Sequence, residues 1–263
     1  MTVTALRDIG SPALPPLSGQ VTQNHASQNS PSQDNKALDI EGLANRLRDA
    51  SPHDIIAAGL EIFPGQITAV SSFGTESVVL LHVLAQVNPG VPVLFLDTGH
   101  LFPETLAYRD DLIAQLGLTG VRTFRPDDAA LAARDPETDL WSTDPDACCD
   151  VRKVVPLAEA LRPFHAWING RKRYQSETRA SISVVERDGL RVKFNPLASM
   201  GREEIVAYMD KYNLPHHPLE KHGFASIGCM PCTSRVKPGE DPRAGRWRGR
   251  AKTECGIHCG EGI

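Results

Sequence analysis

Near its end the sequence reads Glu254-Cys255-Gly256-Ile257-His258-Cys259-Gly260. Upstream stand a vicinal pair, Cys148-Cys149, and a C-x-x-C pair, Cys229 and Cys232, and these three places hold all six cysteines. Four thiols in two close pairs can supply a Cys₄ set, which suits a 4Fe-4S cluster or a structural zinc ion. Adjacent cysteines fit zinc poorly, because Cys₄ zinc sites usually use two C-x-x-C pairs. The tail thiol Cys255 stands apart from this quartet. A thiolate near a chain end is a nucleophile that a mobile segment can carry to a substrate. The stretch leading into it carries Arg235, Lys237, Arg243, Arg246, Arg248, Arg250 and Lys252 against Glu240 and Asp241. Nearby cations favour the thiolate form.

Two further segments have the composition of a nucleotide site. Ser71-Ser72-Phe73-Gly74-Thr75-Glu76-Ser77 follows an apolar run. Backbone amides of such a Ser/Gly turn, at the start of a helix, form an anion site. It is not a Walker loop, because the Gly-Lys-Ser/Thr ending is missing. Leu96-Asp97-Thr98-Gly99 follows a second apolar run. Taken alone, each loop reads as an ordinary strand–helix turn; two on neighbouring strands point to a nucleotide cleft. A basic cluster, Arg171, Lys172 and Arg173 followed by Gln175-Ser176, follows a third run.

The elements that must position these residues follow from periodicity. Leu38, Ile40, Leu43, Ala44 and Leu47 suit one helix face, and Ser51 can cap a second helix through Gly59 and Leu60. Strands are expected at Ile67–Val70, Val91–Leu96, Val121–Phe124 and His165–Ile168. Helices are expected at Ser77–Val87, Pro103–Leu116, Val151–Leu161 and Arg202–Tyr212. Ile182–Val185 and Val192–Phe194 read as a hairpin around Asp188-Gly189. From Lys221 onward Gly and Pro leave regular structure doubtful. Strands alternating with helices predict an α/β fold with an open, mostly parallel sheet flanked by helices, and an irregular C-terminal tail. Ligands bind at the carboxyl ends of such strands.

The chain has 263 residues, 41% of them apolar, and a formal charge of −4. This gives no electrostatic reason to expect nucleic-acid or membrane binding. No apolar run approaches the ~20 residues of a membrane span, and no secretory leader is recognisable. A cytoplasmic protein is expected, in which paired cysteines mean metal or redox chemistry rather than disulfides. Residues 1–36 are polar and rich in Ser, Pro, Gln and Asn, and are expected to be a disordered extension. A transit peptide is the rival, but a single Arg with acidic company argues against it. The expected division is 1–36, an α/β nucleotide-binding and cluster domain at 37–235, and a mobile catalytic tail at 236–263.

The chain resembles the assimilatory adenylyl-sulfate (APS) reductases of the iron–sulfur type, within the PAPS reductase family. The resemblance spans about residues 45–258. It rests on Ser-Ser-Phe-Gly-Thr-Glu-Ser, Leu-Asp-Thr-Gly, Cys-Cys-x-x-Arg-Lys, Arg-x-x-x-Gln-Ser, Ile-Gly-Cys-x-Pro-Cys-Thr, Gly-Arg-Trp and Glu-Cys-Gly-Ile-His. It implies the adenine nucleotide α-hydrolase-like (PP-loop) fold and a 4Fe-4S cluster, one per chain, on Cys148, Cys149, Cys229 and Cys232. It implies Cys255 as nucleophile and Lys153 between cluster and substrate. Arg243, Arg246 and His258 would contact the phosphosulfate or nucleotide phosphate. The adenylyl group would lie over Ser71, Ser72, Gly74, Thr75 and Ser77 and the Asp97-Thr98 strand end, with Arg171 helping to hold the phosphosulfate. The implied reaction reduces adenosine 5′-phosphosulfate to sulfite and AMP through an S-sulfo-cysteine. Reduced thioredoxin, a separate protein, would be the donor, and a homo-oligomer is expected.

The residues leave three alternatives open. One is a reductase of 3′-phosphoadenosine 5′-phosphosulfate, or of both substrates, although that subfamily lacks the two cysteine pairs. Another is a PP-loop ATP pyrophosphatase of the tRNA-thiolation kind, whose S-G-G-x-D-S/T loop this chain does not match. The third is a non-enzymatic iron–sulfur or zinc module, which leaves the loops and the tail thiol unexplained. Cys259 departs from the family pattern. It lies four residues after Cys255 and is expected to be a spectator.

Overall fold

The computed structural model describes residues 38–258, so the N-terminal extension and Cys259 lie outside the described residues. The order of elements is α1 Ile40–Leu47, α2 Pro52–Ile62, β1 Ile67–Val70, α3 Ser77–Val87, β2 Val93–Leu96, α4 Pro103–Leu116 and β3 Val121–Phe124. Then come α5 Asp128–Arg134, α6 Leu140–Thr143, α7 Pro145–Cys149, a π-helical turn Asp150–Val154 and α8 Val155–Leu161. The chain finishes with β4 Ala166–Ile168, β5 Val185–Asp188, β6 Arg191–Phe194 and α9 Arg202–Lys211.

Six strands form one sheet in the order β3-β2-β1-β4-β6-β5. All neighbours are parallel except the β5–β6 hairpin. Burial explains this layout. Ile67–Val70 and Ala166–Ile168 are buried at every position, as parallel strands covered on both faces must be. Helix α3 is apolar on nearly all sides, with Val78, Val79, Leu80, Leu81, Val83 and Leu84 buried, so it sits within the core. Strand β3, at one edge, is only partly covered and carries Arg122 and Thr123 outward. The other edge is the hairpin, which turns at Gly189 with φ +60°. There a side chain would be strained.

Ser51 caps α2 as expected, accepting a hydrogen bond from the Asp54 amide at 3.2 Å. The helix expected to begin at Val151 is extended on its N-terminal side by α7. Asp144 accepts from the amides of Asp146 and Ala147, and Pro145 takes the first helical position. This puts Cys148 and Cys149 on a helix. Beyond them Pro156 has no amide proton to offer the Arg152 carbonyl, and the helix widens into the π turn, where the Val155 amide reaches back to the Asp150 carbonyl. Arg152, in that turn, forms a buried ion pair with Asp135 at 2.6 Å and donates to the Thr98 carbonyl at 2.9 Å. The cysteine helix is thereby tied to the end of β2. The hairpin is present with its strands shifted to Val185–Asp188 and Arg191–Phe194. After Lys221 the described residues form short 3₁₀ turns and two isolated β-bridges, Leu101 with Cys229 and Thr233 with Arg246.

Candidate active site

The strand order reverses direction at β1 and β4, and the main cleft opens there, off the carboxyl ends of β1, β2 and β4. Ser71, Ser72, Gly74, Thr75 and Ser77 line it from β1, Thr98 from β2, and Arg171 and Lys172 from β4. The first loop is shaped from within. The Gly74 amide donates to Ser77 Oγ at 2.9 Å, the Phe73 amide to Ser71 Oγ at 3.2 Å, and Thr75 Oγ1 to the Ala225 carbonyl at 3.3 Å.

Asp97 lies behind this wall rather than on it. Its carboxylate accepts from Arg125 at 2.9 Å and from the Gly99 amide at 3.1 Å, so it shapes the turn that presents Thr98. Arg173 also points elsewhere, donating to the Ile182 carbonyl.

Glu76 and Lys172, read from sequence only as members of the loop and of the basic cluster, face the cleft as a pair. Lys172 Nζ lies 2.9 Å from Glu76, whose carboxylate also accepts from Tyr174 at 2.7 Å and Gln175 at 2.9 Å. Burial would raise the Glu76 pKa, but Lys172 and these donors hold it below the ordinary carboxylate value. Lys172 is thereby neutralised as an anion binder. Arg171 pairs with Glu186 and donates to Asn195 Oδ1.

The C-terminal segment closes the cleft. Arg179 grips Glu254 with two parallel bonds, Nε to Oε1 and Nη2 to Oε2, both 2.7 Å. Arg243 adds a contact to Glu254 at 3.3 Å and donates to the Thr253 carbonyl at 2.8 Å. Arg250 reaches the Ser142 carbonyl, and Lys252 pairs with Asp146 on the cysteine helix. Gly256, at φ +90°, turns sharply with a Val154 methyl 3.3 Å from the place of a Cβ, so the segment packs on the π turn that bears Lys153. Cys255 therefore enters the cleft wall beside Lys153. Ile257 packs against the Trp167 cluster, and the His258 ring stacks on Trp167 with centroids 5.5 Å apart and planes 3° from parallel. Burial, then Arg171, Lys193, Arg179 and Arg243, hold His258 well below the ordinary histidine pKa, and its Nδ1 is buried without a partner.

Arg246 and Lys153 differ from the other cleft cations. Among the described residues no carboxylate pairs with either, and Arg246 Nε is buried without a hydrogen-bond partner. The Arg246 guanidinium lies over Gly228, where a Cβ would come within 2.3 Å of Nη2, and 4.4 Å from the Trp247 ring centroid. Only glycine at 228 admits it. Burial disfavours the Lys153 charge, yet the thiols of Cys229, Cys255 and Cys149 together keep its pKa above the ordinary lysine value.

Cys229 lines the cleft, while Cys148, Cys149 and Cys232 stand behind it. All four thiols are free. Burial raises the Cys148 pKa to about 11, with Cys149, Cys229 and Cys232 adding to the rise, so the four lie within electrostatic reach of one another. Cys229 goes the other way: burial opposes its ionisation, but Lys153 and the Thr98 hydroxyl, 3.2 Å away, lower its pKa. No three His, Cys, Asp or Glu side chains among the described residues converge on a point that could hold a single metal ion.

The fold and the cleft define an adenine nucleotide α-hydrolase-like protein that holds a thiol and unpaired cations at the strand ends. Residues 66–235 match the model of the phosphoadenosine phosphosulfate reductase domain, and the chain belongs to that family. It is similar to an adenosine 5′-phosphosulfate reductase from Mesorhizobium japonicum, at 50% identity over 224 residues, covering 85% of this chain and 87% of the relative. It is also similar to a phosphoadenosine 5′-phosphosulfate reductase from Gloeobacter violaceus, at 44% identity over 229 residues, covering 83% and 93%. The crystal structure of phosphoadenylyl-sulfate (PAPS) reductase from Candida auris, in a phosphate complex, superposes with a TM-score of 0.64 at 24% identity. It covers 78% of this chain and 98% of that one, and shows the shared fold.

Proposed function

We propose that this chain reduces adenosine 5′-phosphosulfate to sulfite and AMP, with reduced thioredoxin as donor and Cys255 as the nucleophile. The observation that carries the reading is the placement of Cys255 in the same cleft as Lys153 and Arg246, the two cleft cations without carboxylate partners among the described residues. A buried guanidinium nitrogen without a hydrogen-bond partner, as at Arg246 Nε, is costly unless a bound anion satisfies it. A phosphosulfate offers such an anion next to an electrophilic sulfur.

In the first step the Cys255 thiolate attacks that sulfur and an S–S bond forms. The bond from sulfur to the bridging oxygen breaks, and its electron pair leaves with AMP. Lys153 and Arg246 stabilise the negative charge that collects on the departing phosphate. Arg243, Arg171 and His258 complete the surround, and the Ser71–Ser77 loop and the Thr98 turn receive the adenylyl group. In the second step a thiolate of the donor attacks Cys255 Sγ, and sulfite leaves with the electron pair of the broken S–S bond. The donor's second thiol resolves the mixed disulfide and restores the Cys255 thiolate. Covalent catalysis splits one difficult displacement into two easier ones.

Cys148, Cys149, Cys229 and Cys232 fit a 4Fe-4S cluster. They are four free, mutually close thiols on a helix end and a 3₁₀ turn, and a cluster binds each thiolate to a different iron, so its ligands need not converge as those of a lone ion do. When bound, the cluster would supply a fixed charge beside Lys153, not electrons for the sulfur. No helix among the described residues is long and apolar enough to cross a membrane, and we place the enzyme in the cytoplasm as a homo-oligomer. Curated relatives carry both substrate names, so the test is sulfite release from APS and from its 3′-phosphorylated form side by side, with thioredoxin. Turnover of APS at least tenfold more efficient supports the reading; turnover of the 3′-phosphorylated nucleotide alone overturns it.

A further inference from the structure

Thr105 lines the cleft from the first turn of α4, shortly after the Leu96–Gly99 segment but in none of the motifs above, and is 1% exposed. Its only side-chain hydrogen bond among the described residues is to His217 Nε2, at 3.0 Å. His217 is equally buried, at 1% exposed. The tautomer of His217 follows from its other nitrogen. The Leu219 amide donates to Nδ1 at 3.2 Å, so Nδ1 is an acceptor and carries no proton. The proton is then on Nε2, and the Thr105 oxygen accepts it. Tyr108 packs edge-on against the imidazole at 4.9 Å and is itself anchored by its hydroxyl to the Pro215 carbonyl, so the ring is fixed. Burial pushes the His217 pKa down to about 4, so this arrangement holds at neutral pH. The Thr105 hydroxyl is left with one proton to donate and no acceptor for it among the described residues.

The wall around this donor is apolar. Leu101 and Ile227 line the same cleft, and Ile227 packs with Phe102 and Leu219, the residues that flank Thr105 and its histidine. A single neutral donor beside an apolar wall suits the edge of a flat heterocycle; the anionic end of the ligand has Lys153 and Arg246. We propose that Thr105 is a substrate-recognition residue whose hydroxyl donates to a ring nitrogen of the adenine, with His217 as the positioning residue that turns that hydroxyl toward the cleft. This deepens the reductase reading and rests on it.

The test measures binding of AMP and its 1-deaza, 3-deaza and 7-deaza analogues by calorimetry to the wild-type holoenzyme, Thr105→Ser and Thr105→Val. Thr105→Val is expected to weaken AMP on the order of tenfold, as for one unmade hydrogen bond, and Thr105→Ser to restore it. One deaza analogue should bind wild type about as weakly as AMP binds Thr105→Val, and should lose nothing further in that variant. An equal loss for all four nucleotides in Thr105→Val, or AMP bound as tightly as by wild type, overturns the assignment. If Thr105→Val does not fold, wild type decides alone: three deaza analogues bound as tightly as AMP overturn it. Sulfite release from APS by the same preparation separates the two readings. Release without any ring-nitrogen dependence removes Thr105 and leaves the reductase.

Discussion

Glu254→Gln tests whether the Arg179 clamp is what holds Cys255 in the cleft. Glu254 and Arg179 are 16% and 11% exposed, so the pair is largely shielded from solvent. The carboxylate takes two parallel charge-assisted bonds from Arg179 and a third contact from Arg243. A glutamine keeps the size and one acceptor but loses the charge and the second acceptor. With charged hydrogen bonds worth ~1.5–3 kcal/mol each, the docked segment should lose about 2–3 kcal/mol, or roughly thirty- to 160-fold in its docked-to-released ratio. Cys255 alkylation by iodoacetamide and hydrogen exchange over residues 250–258 read that ratio directly. The wild type should show a matching pH response. Burial raises the Glu254 pKa, but Arg179 and Arg243 more than offset it and hold the value below the ordinary 4.5. A group with a depressed folded pKa stabilises the docked state above its undocked value. Docking should therefore be intact above about pH 4.5 and weaken as pH falls through the lower docked value, and Glu254→Gln should lack this step. If the variant protects Cys255 as well as wild type does, the clamp is not what seats the tail.

Other outcomes follow from the same geometry. Gly228→Ala puts a Cβ where the Arg246 guanidinium lies, and should raise the KM for APS about tenfold or more with little change in melting temperature; an unchanged KM removes Arg246 from the substrate site. Asp135→Asn leaves Arg152 buried without its counter-charge and should destabilise the fold by about 3–5 kcal/mol, measured by chemical denaturation; a loss below about 1 kcal/mol contradicts the role given to that pair. Cys229→Ala should abolish bound iron, measured by metal analysis and the visible chromophore; wild type that carries zinc and no iron sinks the cluster.

Much of the sheet was legible because its strands are short apolar runs with clear punctuation. Ile67–Val70 and Val121–Phe124 fall where expected, and Ser51 caps the helix it was expected to begin. The helices between Asp128 and Cys149 were not legible. They are short, mostly exposed and without an apolar stripe, and only Asp127 and Asp144, the capping residues, signalled them. The cleft was legible wherever a motif carries unusual chemistry, as at Cys255, Cys229 or the Ser71–Ser77 loop. Asp97 misled because an acid at a strand end looks like a ligand, while its actual partner, Arg125, is an isolated surface residue. Glu76, Lys172 and Arg179 were missed as a set because their roles are set by pairing across about a hundred residues, which no local pattern records. Thr105 and His217 went unread for the same reason.

The central claim, Cys255 as the sulfur-accepting nucleophile, is tested most directly by mass spectrometry of the tail peptide after one turnover. Enzyme mixed with a slight excess of APS and no reductant should carry one sulfonate on Cys255, with one equivalent of AMP released. Reduced thioredoxin should then discharge it as an equal amount of sulfite. Cys255→Ser should form neither adduct nor sulfite while retaining its chromophore. Sulfite release by Cys255→Ser, or turnover by wild type with the Cys255 peptide never modified, would contradict the account.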